Sequence, residues 1–321
     1  MTPPSWATVF TTWQPSWLVD ALVVAAGVLY ALGARRFPGA WPARRSLAFG
    51  GALAGVVLTF DSGVAEFGHG VFAVHMIMHL MLIMVVPALL VAGQPLRLLR
   101  EATGPQRWDR AVAGRAVRGL TFPLSVLGVY TLVVVLTHLT GFMETMAASM
   151  TLHHLEQVLY LVAGYLFFLT ALGVDAGPHR PSYFARYVLM LVGMGVDTLV
   201  GVVLMLSPHS PFPSYALDDV HLGGAIMWAG GDGLMMVTMV LLGRVWVQDP
   251  SGRVDFGPWL ESARMSAFRE QTGTDEATSS HGGARGTDGS GTADDPDLDS
   301  DDEALAAYNR MLARLQQGER R

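Results

Sequence analysis

Two histidines four residues apart carry the clearest chemical signal in the sequence. His75 and His79 enclose a Met-Ile-Met run, and further methionines follow closely. At this spacing both imidazoles lie on one face of a helix. Imidazole and thioether are ligands that suit copper, although imidazole alone also accepts zinc or iron. The chain contains no cysteine, so any metal must be held by His, Met, Asp or Glu. We therefore predict a metal site on this segment, with copper as the metal.

Six further residues complete the predicted ligand set. His153 and His154 are neighbours, and neighbours on a helix point about 100° apart, so we expect at most one of them to face the pair. The complete set of candidate ligands is His75, His79, His138, His153, His154, His221, Asp197 and Asp232. The two aspartates have other possible roles, because buried carboxylates also accept hydrogen bonds from ligating histidines or join helices in their protonated form. His138 and His221 have the alternative of being solvated at the membrane interface.

Three methionines recur near helical spacing between His138 and His153. They are Met143, Met146 and Met150. Thioethers select Cu(I) among the common metals, so this group is a candidate copper-capture cluster. Methionine is also a common filler of gaps between helices, and that alternative stays open.

The elements that position these residues are apolar segments. Of 321 residues, 51% are hydrophobic and only 15% are charged, against about 25% charged in a soluble domain. A helix that crosses a bilayer needs about 20 largely apolar residues. Seven segments fit, and His75 and His79 lie in the third: Trp17–Gly33, Leu47–Phe60, Val71–Ala92, Leu120–Leu139, Leu152–Leu172, Phe184–Leu206 and Leu222–Leu242.

The arginines predict the orientation of these spans. All 21 basic residues are arginine, and they fall between spans one and two, three and four, and five and six, and after span seven. Basic residues stay on the cytoplasmic side. The N-terminus is therefore predicted outside, and eight of the ten histidines lie toward the outer side.

The predicted fold is all-α: a polytopic bundle of seven transmembrane helices in residues 1–244. Residues 245–321 form a predicted cytoplasmic tail, acidic and largely disordered, with a short helix near its end. The N-terminal segment lacks the basic region of a signal peptide, so we expect the first span to be retained.

Several function classes lack their signatures. The sequence has no nucleotide-binding loop, no Gly-x-Ser-x-Gly turn and no HExxH zinc motif, and we expect no enzyme activity. Its basic residues flank apolar spans and do not interleave with aromatics, which argues against nucleic-acid binding.

Three stretches resemble the CtaG-like seven-helix assembly factors of cytochrome c oxidase. They are His75–Leu82 with Pro87 and Gly93-Gln94-Pro95, Leu152–Glu156 with Gly164, and Asp219–Trp228. Gln157 departs from the family pattern, which implies a histidine at that position. The resemblance implies a role in making cytochrome c oxidase, with oxidase subunits as partners and a bacterial plasma membrane as the location. The prediction of copper binding and delivery rests mainly on the histidines and methionines described above. Two alternatives stay open: a haem-binding redox protein, since histidines from two spans also ligate haem iron, and a metal-free scaffold.

The orientation can be tested by single-cysteine labelling, because the natural chain has no cysteine. With a membrane-impermeant maleimide on intact cells, we expect Ser214→Cys to be labelled and Thr287→Cys to be labelled only after permeabilisation. Labelling of Thr287→Cys from outside would overturn the topology.

Overall fold

The computed structural model describes residues 6–37 and 39–248 of the chain. This part is helical, apart from an isolated antiparallel bridge between Trp13 and Ser62. The predicted disordered tail and its short terminal helix lie outside the described residues. The helices are α1 (Trp6–Thr11), α2 (Trp17–Arg36), α3 (Ala43–Asp61), α4 (Gly63–Phe67), α5 (Phe72–Leu80), α6 (Val86–Gly93), α7 (Pro95–Thr103), α8 (Pro105–Val112), α9 (Arg115–Leu120), α10 (Pro123–Leu139), α11 (Phe142–Ala147), α12 (Met150–Leu172), α13 (Tyr183–Met205) and α14 (Leu217–Gln248).

The all-helical membrane architecture is confirmed for the described residues. Five helical segments are long and apolar enough to cross a bilayer: α2, the continuous segment Phe72–Gly93, α12, α13 and α14. The other two predicted spans correspond to α10, an apolar helix of 17 residues, and to α3, which begins with two arginines. The count of seven and the orientation therefore stay predictions. Helix α14 continues to Gln248, past the predicted domain boundary after residue 244.

The surface of the bundle is apolar in the way a lipid-facing surface must be. Leu132, Leu191 and Leu241 each expose more than half of their area. The interior is also apolar, and it is closely packed around large side chains such as Phe72, Tyr130 and Phe167, all fully buried. A chain that is apolar on both the inside and the outside has lipid, and not water, as its solvent.

The third span is one continuous helix with a wide turn in its middle. Residues Met81–Val85 are π-helical, and they join α5 to α6. Pro87 lies in the first turn of α6. Proline cannot donate a helical hydrogen bond and crowds the turn before it, and a π turn relieves this crowding. The span therefore crosses the bundle unbroken, but its two halves are offset in register.

Helix α12 packs directly on the backbone of this wide turn. A Cβ atom added at Gly164 would lie 2.1 Å from the carbonyl oxygen of Ile83. Only glycine permits such an approach. His153 and Gln157 precede Gly164 by eleven and seven residues, so they lie on the same face of α12 and turn toward α5.

Carboxylates fix the two ends of the bundle. Asp219 of α14 accepts hydrogen bonds from the backbone N–H of Phe72 (2.6 Å) and Ala73 (3.0 Å), and so caps the start of α5. At the opposite end, Asp175 accepts from the backbone N–H of Leu96 (3.1 Å) and Arg97 (2.8 Å) at the start of α7. The segment that carries His75 and His79 is therefore held in place by α14 as well as by α12.

The contact at Gly164 predicts an asymmetric response to alanine substitution. Gly164→Ala would push the backbone of α12 away from the backbone of the wide turn, and it should lower the free energy of unfolding by about 1–3 kcal/mol or more. Gly128→Ala in α10 is the matched control, because nothing lies within 4 Å of its added Cβ, and alanine should favour the helix by roughly 0.5–1 kcal/mol. Thermal unfolding in detergent would compare them, and equal stability of the two variants would refute the close contact.

Candidate metal centre

Four histidines meet in the interior near one end of the bundle. They are His75 and His79 from α5, His138 from the end of α10 and His153 from the start of α12. Each is at most 4% exposed. The ring centroid of His75 lies 4.0 Å from that of His79 and 5.7 Å from that of His153. The structure thus brings together four of the eight predicted ligands.

A buried glutamate lies at the centre of these rings. One carboxylate oxygen of Glu156 is 3.7 Å from His75 Nε2 and 3.8 Å from His153 Nδ1, and the other is 3.6 Å from His79 Nε2. The carboxylate is fully buried. One ligand atom each from His75, His79 and Glu156 lies within 4.8 Å of the others. A buried carboxylate is costly unless a cation or hydrogen bonds compensate it.

A chain of hydrogen bonds sets the proton positions on two of the imidazoles. The carbonyl oxygen of Val134 lies 2.8 Å from His138 Nδ1 and can only accept, so Nδ1 carries the proton. His138 Nε2 then offers a lone pair to His79 Nδ1, which lies 2.9 Å away and must be the donor. His79 Nε2 is left with a bare lone pair directed toward Glu156. Both facing atoms are electron-rich, and this is an arrangement that a cation stabilises.

Several polar atoms at this point lack any partner among the described residues. They are Nδ1 and Nε2 of His75, Nε2 of His79 and one carboxylate oxygen of Glu156. Folded proteins leave very few buried polar groups without a hydrogen bond. Here one such atom from each of His75, His79 and Glu156 lies close to the others, which makes this point a candidate metal site.

Two further side chains, Thr137 of α10 and Tyr160 of α12, support the trio formed by His75, His79 and Glu156. The ring of Tyr160 packs on His79 with centroids 4.1 Å apart. Its hydroxyl reaches both Thr137 and a carboxylate oxygen of Glu156, the latter at 3.3 Å. Tyr160 and Thr137 therefore restrict the orientation of Glu156 and His79.

The side of the cluster nearest His153 contains softer groups. The sulfur of Met146 lies 3.1 Å from His153 Nδ1. The amide nitrogen of Gln157 is 3.0 Å from His153 Nε2 and 3.3 Å from the sulfur of Met78. The ring of His69 packs against that of His153 at a tilt of 46°, with centroids 4.0 Å apart.

The other four predicted ligands lie elsewhere. His154 is on the exposed face of α12 and contacts the amide oxygen of Gln157 at 3.2 Å. His221 contacts the carbonyl oxygen of Ser207 at 2.9 Å. The aspartates belong to other helix contacts: Asp197 accepts a hydrogen bond from Tyr130 at 2.8 Å, and Asp232 accepts from Thr198 at 2.9 Å. Of the three predicted capture methionines, Met143 and Met146 are buried and Met150 is exposed.

Glu156 is the functional candidate that the sequence-based ligand set omitted. It follows His153 by three residues, so the two side chains share one helix face. It is also a carboxylate within a predicted span, and such a residue is costly and therefore a functional candidate by default. The same cost argument that selected Asp197 and Asp232 also applies to Glu156.

Comparison with known families shows which family the chain belongs to. The profile of the cytochrome c oxidase caa3 assembly factors (Caa3_CtaG) matches residues 28–249. The chain belongs to this family. The matched region of this family member includes His75, His79, His138, His153 and Glu156, and the resemblance seen in the sequence is confirmed.

Relatives among curated proteins come from mycobacteria. The chain is 29% identical over 341 aligned positions to an uncharacterised protein of Mycobacterium bovis and to one of Mycobacterium tuberculosis, with 98% of the chain and 46% of each relative covered. It is 28% identical over 270 positions to an uncharacterised protein of Mycobacterium leprae, covering 77% of the chain and 41% of the relative. The chain therefore spans about half the length of these relatives. No solved structure matches it.

Adjacent histidines provide a sharp test of the cluster. His153→Ala removes a buried ring and should reduce stability by roughly 2–4 kcal/mol. His154→Ala is the control and should change stability by less than about 0.5 kcal/mol, because His154 is exposed. Thermal unfolding of both purified variants would show the difference, and a larger effect of His154→Ala would contradict the placement of α12.

Proposed function

We propose that this chain binds a copper ion as cargo between His75, His79 and Glu156 and delivers it during cytochrome c oxidase assembly. The observation that carries the proposal is the convergence of unpartnered buried nitrogen and oxygen atoms on one point. A cation there would pair with the carboxylate and use the bare lone pairs. Family membership supports the assembly role.

The donor set is suited to holding an ion that must later leave. Two neutral imidazoles and one carboxylate supply three ligand atoms and one negative charge, which leaves a coordination position open for a donor or acceptor protein. His138 acts through His79: its Nε2 accepts a hydrogen bond from the Nδ1–H of His79, which fixes the His79 ring and increases the basicity of His79 Nε2. Copper is favoured over zinc because thioether sulfurs of Met146 and Met78 lie beside the imidazoles.

The position of the site supports delivery on the outer side of a bacterial plasma membrane. The site lies near the start of α5, at the end of the bundle away from the loops that contain Arg97, Arg115 and Arg180. If arginine-rich loops are cytoplasmic, this end is outside. Oxidase subunits with outward-facing copper centres are then the partners that the site can reach.

The haem alternative receives no support from the geometry. Haem bound by two histidines needs its porphyrin plane between the imidazoles. The rings of His75 and His79 already touch, and His79 is hydrogen-bonded to His138 at 2.9 Å. A metal-free scaffold would leave the unpartnered atoms uncompensated, at a cost of roughly 1–3 kcal/mol each.

Metal content and oxidase activity together test the proposal. We expect His75→Gln with His79→Gln, which removes the imidazoles but keeps much of their buried volume, and separately Glu156→Gln, to lower bound copper and oxidase activity in parallel while protein abundance stays near normal. Elemental analysis of purified protein and oxidase assays on membranes are the measurements, and visible spectra would reveal a Soret band if haem were bound.

His221→Ala is the matched control, because His221 lies outside the cluster. Full copper content and full oxidase activity in the double variant would refute the site. A parallel collapse of protein abundance would favour a structural role for the histidine pair.

A further inference from the structure

A second group of potential ligands lies beside the trio, and its chemistry is different. We infer that Met146, His153 and His69 form a receiving station for Cu(I), from which the ion passes to His75, His79 and Glu156. The inference rests on the proposed function, because a receiving station serves only a chain that carries copper. It specifies the oxidation state of the cargo and the side of the site at which the ion arrives.

The ligand atoms of this station are close together and partly unpartnered. Met146 sulfur lies 3.1 Å from His153 Nδ1, and the His69 ring packs on the His153 ring. His69 Nδ1 faces the carbonyl oxygen of Ala65 at 3.3 Å, so Nδ1 carries the proton. His69 Nε2 is therefore unprotonated and has a free lone pair. This atom is buried without a partner among the described residues.

The station and the trio differ in the softness of their ligands. The trio includes a carboxylate, which is hard and tolerates divalent ions. The station has a thioether and imidazoles and no carboxylate of its own. Thioether sulfur selects Cu(I) against Zn²⁺ and other divalent ions. The station therefore filters the cargo before it reaches the carboxylate.

His153 connects the two groups. Its Nδ1 faces Met146 on one side and lies 3.8 Å from a carboxylate oxygen of Glu156 on the other. The ion can move from thioether to carboxylate by exchanging one ligand at a time while His153 remains bound. No electron is transferred, because copper stays Cu(I) throughout.

Gln157 allows His153 to become a ligand. Its amide nitrogen now faces His153 Nε2, which assigns the His153 proton to Nδ1. Rotating the amide exchanges the positions of its oxygen and nitrogen, so that the Gln157 oxygen accepts a hydrogen bond from the Nε2–H of His153 and Nδ1 is free to bind the ion. The proton moves from Nδ1 to Nε2 of His153, and the number of protons on the ring does not change.

The surrounding loops hold the station in place. Glu144 of α11 accepts hydrogen bonds from Ser214 at 3.0 and 2.7 Å, which ties the helix of Met146 to the loop before α14. The Tyr215 hydroxyl donates to the His69 carbonyl oxygen at 3.2 Å. Burial raises the pKa of Tyr215 to about 12, so this hydroxyl keeps its proton at physiological pH.

Two methionines of α11 give a matched pair of variants. Met143 and Met146 are both fully buried, but the sulfur contact to His153 belongs to Met146. Purified full-length protein would be titrated with Ag⁺ as a redox-stable substitute for Cu(I), and with Co²⁺ as a divalent ion. We expect Met146→Leu to weaken Ag⁺ binding on the order of 10- to 100-fold and to leave Co²⁺ binding unchanged. Met143→Leu should change neither.

The outcomes separate this inference from the proposed function. If wild-type protein binds neither ion, the copper-carrier function fails, and this inference fails with it. If wild type binds both ions and Met146→Leu binds Ag⁺ as tightly, the station alone is wrong. Equal loss of Ag⁺ and Co²⁺ in Met146→Leu also overturns it, since the residue then supports the whole core. X-ray absorption of the Cu(I) protein adds a direct check: we expect a sulfur scatterer in wild type that is absent from Met146→Leu.

Discussion

A buried carboxylate surrounded by imidazole rings is the constraint on which the rest of this structure depends. Glu156 is fully buried among His75, His79 and His153, and one of its oxygens has no hydrogen-bond partner among the described residues. Buried charges in proteins are paired or bind metals, because removing them from water costs several kcal/mol. The hydrogen bonds around the site do not resolve this deficit. The bond between His79 and His138 instead directs a second lone pair toward the carboxylate. The cluster therefore brings a carboxylate oxygen and an imidazole lone pair to one point, and these are the groups with which the proposed copper ion would pair.

The helical bundle makes such a cluster possible by bringing backbones unusually close. Lipid provides no hydrophobic force between helices, so close packing of small residues has to hold them together. Gly164 lets α12 contact the π turn, and this contact aligns His153 and Glu156 with the α5 histidines. Asp219 fixes the beginning of α5 from a third helix. The positions of the ligands are therefore set by backbone contacts and caps, which are more rigid than side-chain packing.

Part of this arrangement follows from the sequence. Apolar segment length predicted helices wherever the described residues form long ones, and the spacing of His75 and His79 predicted a shared face. As neighbours on a helix, His153 and His154 cannot both face the pair. The sequence does not indicate which of them does, because the rotation of α12 depends on the Gly164 contact. Asp197 and Asp232 show the same limit: their burial was predictable from their depth, but Tyr130 and Thr198 are partners that only the packing of α10, α13 and α14 reveals. Glu156 was predictable from the cost of burying a carboxylate within a span, although the histidine-centred ligand set did not include it. The π turn has no reliable signal in local sequence.

That wide turn also constrains how the gene can change length. A π turn holds one more residue than the α-helical turn it replaces. Deleting a single residue from Met81–Val85 would remove this extra residue and restore regular α-helix, with α5 and α6 keeping the faces they now present. A single deletion in the regular α-helical part of the same span, between the histidine pair and the wide turn or within α6, would instead rotate the pair by about 100° relative to the rest of the span, although every ligand would still be encoded. The wide turn should therefore tolerate a one-codon deletion that its neighbours would not, so the site depends on residue spacing as much as on residue identity.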